Sequence, residues 1–98
     1  MDVIRSLQGI TFTWDARKAS ANITKHGVTF DEACEVFFDP LLQPQPSDVR
    51  DGEIREAVIG LTSAWRLLFV VYVTVEESVR VLSARPATSH ERSSYENC

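Results

Sequence analysis

His26, within Lys25-His26-Gly27, can exchange a proton near neutral pH, because imidazole is the side chain whose ordinary pKa lies there. Lys25 sets a cation beside it. Both also suit a purely structural place at a helix end, where cations favour the negative pole of the macrodipole. Arg85 and Arg92 offer planar guanidinium forks that hold phosphate-like anions through paired hydrogen bonds, with a solvated surface charge as the alternative for either. Arg80 lies five residues before Arg85, so in a regular strand the two point to opposite faces, unless a bulge intervenes. Tyr95 follows Glu91 by four residues and Arg92 by three, which places all three on one side of a helix. Its phenol can donate a proton or pack against a sheet. No Cys-x-x-Cys pair occurs and the two histidines are far apart, so the chain shows no metal-ligand spacing and no cofactor is expected.

The elements that must position these residues can be read from pattern. Ile10 to Trp14 are β-branched and aromatic and form an opening strand. Asp15 caps a helix from Ala16 to His26 that Gly27 ends. Thr29 and Glu32 make a capping box for a second helix with Phe30, Ala33, Val36 and Phe37 on its apolar face, stopped near Asp39 by Pro40. Residues 39–52 contain Pro40, Pro44, Pro46 and Gly52 and read as a loop or flap. Strands follow at Glu53 to Leu61, Trp65 to Thr74 and Ser78 to Arg85, the middle one apolar on both faces and therefore central. Thr88 and Glu91 form a second capping box for a last helix reaching Asn97.

The resulting order, β-α-α-β-β-β-α, with turns too short for crossover helices, gives an α+β two-layer fold with a mainly antiparallel sheet. At 98 residues the chain, 1–98, is expected to be one domain. Trp14, Phe30, Phe37 and Phe69 are core candidates, while Trp65 at a turn is free to meet a partner.

Composition narrows the setting. No apolar run reaches membrane-spanning length and the first ten residues lack a secretory hydrophobic core, so a cytoplasmic protein is expected. In that reducing setting a Cys34–Cys98 disulfide is disfavoured, and Cys34 reads as a small core residue. The net charge of −4 does not by itself propose a nucleic-acid binder, so any such surface has to be a local cationic patch.

The order of Phe12, Trp14, Asp15, Lys18, Asn22, Lys25-His26-Gly27-Val28, Phe30, Glu32-Ala33 and Phe37 to Asp39 resembles the opening of the BrnT toxins. Ile59-Gly60-Leu61, then Leu82-Ser83-Ala84-Arg85, Ala87-Thr88, Glu91-Arg92 and Tyr95-Glu96, resemble the rest of that family, from about residue 12 to residue 96. The resemblance implies a RelE-like fold and metal-independent ribonuclease activity. It also implies a BrnA-type antitoxin partner through which alone the toxin meets operator DNA. On this reading Lys25, His26, Arg85, Arg92 and Tyr95 are the candidate catalytic residues and Lys18 is a candidate RNA contact, as is Arg80, which lies outside the matching motif. Ser89, His90, Ser93 and Ser94 depart from the arginine-rich last helix of the family, which implies a weaker hold on phosphate. The alternative implied by that departure is a weak or inactive module that acts with its antitoxin as a corepressor.

Overall fold

Two hairpin turns determine how the chain begins and how its middle is spent. In the computed structural model, which describes residues 1–97, Gln8 and Gly9 adopt positive φ angles of 49° and 85°. That is the two-residue turn whose twist matches paired strands. It joins β1 (Asp2–Leu7) to β2 (Ile10–Asp15), with Leu7 opposite Ile10. Asp51 and Gly52, at φ 53° and 76°, make the same turn between β3 (Gln43–Arg50) and β4 (Glu53–Leu61).

Residues 43–50 are therefore a strand rather than a loop, and the order gains two strands over the sequence reading. Their prolines are tolerated because β3 is an edge. Pro44 and Pro46 share parity, and on an edge only alternate N–H groups face the neighbouring strand. A register shift between Gln45 and Asp48 absorbs the remaining irregularity.

β5 (Leu67–Val75) and β6 (Ser78–Pro86) complete a six-stranded sheet in the order β1-β2-β6-β5-β4-β3. All neighbours are antiparallel except β2 and β6, whose parallel contact runs only from Thr11–Ser78 to Thr13–Arg80. α1 (Ala16–His26) and α2 (Phe30–Glu35) cover one face, and a 3₁₀ turn at Val36–Phe38 follows α2. Phe12, Trp14, Phe30, Val36, Leu68, Val70 and Val81 form the core beneath them. Trp14 meets Phe30 edge-on at 5.9 Å. Gly60 is required there, since a Cβ would lie 2.8 Å from that of Val36.

Phe69 departs from its expected place. It lies between the core residues Leu68 and Val70 and so points to the opposite face, where α3 (Ser89–Glu96) sits. The helices are thus divided between the two faces. Cys34 is core, 2% exposed, and burial pushes its thiol up to about 12. Cys98 lies outside the described residues. No helix among the described residues is long and apolar enough to cross a membrane.

Candidate active site

The caps read from sequence place the first group of candidates. Asp15 accepts the N–H groups of Arg17 and Lys18 at the start of α1, and Gly27 at φ 68° ends it. On the sheet-facing side, Asn22 donates to the carbonyls of Val28 and Ala84 and accepts the N–H of Ala84. One turn later, the half-buried His26 follows on the same stripe, with the exposed Lys25 next to it and the exposed Lys18 two turns earlier.

Arg66, which sequence reasoning passed over, fixes where this helix end lies. Its guanidinium donates to the Gly27 carbonyl at 3.3 Å and pairs with Glu32 at 3.2 Å. Glu32 thereby turns to Arg66 and Thr62 instead of completing the capping box, of which only the Thr29 half forms. The Ala87 N–H donates to the Leu67 carbonyl at 2.9 Å. His26, the start of β5 and the end of β6 are thus gathered at one end of the sheet.

Arg85 comes to that end from the other face. The Ala84 side chain is buried in the core beneath the first two helices, so the next side chain points away from α1. The guanidinium lies 4.3 Å from the Phe69 ring centroid and is gripped by both Glu91 oxygens, at 2.7 and 2.8 Å. A third bond goes to the Pro86 carbonyl. The fork that suits a phosphate therefore holds a carboxylate in the free protein.

Glu91 also accepts the Thr88 N–H, closing the expected capping box of α3. The Arg85 hydrogen bonds, then the Thr88 cap, hold its carboxyl down at about 2. A carboxyl lowered on folding contributes stability above its unfolded pKa of about 4.3, and that contribution is lost as pH falls toward 2. Allowing for the partly exposed Arg85, the contribution is on the order of 1–2 kcal/mol. Thermal unfolding between pH 5 and pH 2 should show the native chain losing its advantage over Glu91→Gln. A constant gap between the two would show that the ion pair contributes nothing.

Tyr95 donates its hydroxyl hydrogen to Asp39 at 2.6 Å, and burial together with that bond raises its phenol to about 12. Asp39 also accepts the N–H groups of Leu41 and Leu61. Burial works to raise its carboxyl, and the three donors outweigh that and lower it. Tyr95 thus anchors α3, none of whose residues is buried. Arg92 is exposed and pairs loosely with Glu96 at 3.7 Å.

Arg80 has a structural partner as well. It grips both Asp2 oxygens, at 2.9 and 3.3 Å, and reaches the Thr13 hydroxyl, clamping β1 and β2 onto β6. Leu82 is an extra residue between the pairs Val71–Ser83 and Tyr72–Val81. This bulge restores parity, so Arg80 and Arg85 share a face after all.

A groove of about 650 Å³ lies between β1, α2 and the turn after β4. Leu7, Phe38 and Leu61 line it, but Asp31 and Glu35 stand at its rim and repel phosphate. Among the described residues, no three His, Cys, Asp or Glu side chains cluster to hold a metal ion.

This α+β domain falls among the ribonuclease toxins of type II toxin–antitoxin systems. A profile of the family described as "Ribonuclease toxin, BrnT, of type II toxin-antitoxin system" matches residues 14–91. The chain belongs to the BrnT family. It is similar to the crystal structure of the Brucella abortus ribonuclease toxin BrnT, with a TM-score of 0.63 and 27% identity over 78% of this chain and 94% of that one. Comparison with curated proteins finds no match.

Proposed function

We propose that this chain, a toxin of the RelE-like group, cleaves RNA by acid–base chemistry at the end of the sheet that His26 and Arg85 reach from opposite faces. The observation that supports this reading is the set of bonds from Arg66 to Gly27 and from Ala87 to Leu67, which gathers the ends of α1 and β6. In this reaction a ribose 2′-oxygen attacks the adjacent phosphorus and passes its proton to His26. The bond from phosphorus to the 5′-oxygen then breaks, and that oxygen takes the proton from the His26 imidazolium, which returns the ring to its starting state. Lys25 and Arg85 neutralise the dianionic phosphorane, Arg85 by exchanging one Glu91 oxygen for a phosphate oxygen. Arg92 adds a cation on α3, and Tyr95 keeps that helix in place. No metal ion is required, because side chains cover each proton transfer and each charge.

A BrnA-type antitoxin neutralises the chain by covering Lys25 and Arg85, and operator DNA is contacted only through that antitoxin. A second reading has its own support: Glu91 occupies Arg85 and Asp39 occupies Tyr95, while Ser89, His90, Ser93 and Ser94 leave α3 with the lone cation Arg92. That state suits a weak toxin that serves mainly as its antitoxin's corepressor. Induced expression without antitoxin separates the two. Growth arrest that is lost in His26→Ala is expected for the ribonuclease, and unimpaired growth would favour the corepressor.

A further inference from the structure

The cations of this acidic protein are not spread evenly. Among the described residues, seven of the eight arginines pair with a carboxylate. Arg17 and the two lysines, Lys18 and Lys25, do not, and all three lie on α1. At about 100° per residue they fall with Ala21 within an arc of about 100° on the helix. Each of the four is exposed. The helix contains no acidic residue, and Lys18 and Lys25 are about 10 Å apart along its axis, at 1.5 Å per residue.

Folding alone accounts for only part of this pattern. Lys25, in the last turn, sits where the helix dipole favours a cation. Arg17 and Lys18 stand in the first turn, at the positive pole, where the dipole disfavours them and only the Asp15 cap offsets the cost. A helix serving the fold alone would gain from acids at these positions.

We propose that the outer face of α1, formed by Arg17, Lys18 and Lys25, is a track for the phosphate backbone of single-stranded RNA, delivering it to His26 at the helix end. The track rests on the reading of the chain as a ribonuclease and names where its substrate lies. The small side chain of Ala21 leaves the arc open to a backbone passing between the cations. Because the other arginines are already paired, this face supplies the counterion release that drives binding.

The test is a salt titration of the full chain with a labelled 2′-O-methyl oligouridylate, which binds but cannot be cut. For three phosphates at about 0.7 each, Arg17→Gln/Lys18→Gln/Lys25→Gln should lower the slope of log affinity against log salt by about 2. Affinity at 0.15 M salt should fall on the order of 50-fold. Arg50→Gln, which removes an exposed arginine already paired with Asp48, should leave the slope unchanged. A second variant, Arg17→Glu/Lys18→Glu, should melt at a higher temperature than the parent while binding more weakly, a combination that damage to the fold cannot produce. Unchanged slopes in folded variants would overturn the track while leaving the ribonuclease reading standing. Loss of antitoxin binding with RNA binding intact would assign the face to a protein and overturn it equally. A parent chain that fails to bind the oligonucleotide would overturn both.

Discussion

Replacing Asn22 with alanine should destabilise the fold by about 3–5 kcal/mol, since each buried polar group left without a partner costs about 1–3 kcal/mol. Asn22 is 6% exposed and makes three bonds of 2.8 to 3.1 Å to Val28 and Ala84. Its position explains the size of the effect. β2 pairs with β6 only as far as Arg80, so beyond that point β6 has backbone groups that no strand meets. The Asn22 amide supplies both the donor and the acceptor that a neighbouring strand would offer Ala84, and it also ties the turn after α1 to the sheet. Alanine would leave two carbonyls and one N–H without partners in a place closed to water. For a domain of this size, whose whole stability is about 5–15 kcal/mol, that is a large share. Urea denaturation monitored by the fluorescence of Trp14 and Trp65 measures it. A loss below about 1 kcal/mol would mean that water or another side chain replaces the amide.

The second large effect is on rate. His26→Ala should slow RNA cleavage by about 10²- to 10⁴-fold, the usual contribution of a positioned acid–base group. Its fold should be intact, because His26 is only half-buried and Asn22, not His26, ties the helix to β6. Binding of uncleavable RNA should persist, since the cations that attract it lie on the outer face of α1. Single-turnover cleavage alongside an RNA-binding titration separates the two effects. Cleavage at the parent rate would remove His26 from the chemistry, and equal losses in binding and rate would make it an RNA contact.

Local signals carried much of this architecture. Asp15, Thr29 and Thr88 cap helices because their side chains reach N–H groups two or three residues away, and sequence alone reveals such reach. Asp51-Gly52 carries an equally local hairpin signal, yet the prolines before it outweigh that signal and give residues 43–50 the pattern of a loop. Proline excludes a central strand but not an edge, and edge status depends on the whole sheet. β1 went unread because its Asp2, Arg5 and Ser6 lack strand-like character, and the ties that hold it are remote. Asp2 meets Arg80 across 78 positions of chain, and no local pattern encodes such a pair.

The candidate site was legible in the same uneven way. Arg85 and Glu91 are close in sequence, so their place around the start of α3 could be read, although their grip on each other and the seat of Arg85 over the Phe69 ring could not. Arg66 has an ordinary turn context, and only the folded chain brings it to Gly27. The bulge at Leu82 leaves no mark on composition, yet it decides which face Arg80 shares. The cationic face of α1 emerges only when the partners of every other arginine are known.

The most direct measurement is incubation of the purified chain with a labelled single-stranded RNA in excess EDTA, with the ends of any products identified. Attack by the 2′-oxygen should give fragments ending in 2′,3′-cyclic phosphate, in the native chain at full rate despite the chelator and in His26→Ala only slowly. RNA left intact, or cut only after magnesium is restored, would contradict a toxin that cleaves with its own side chains.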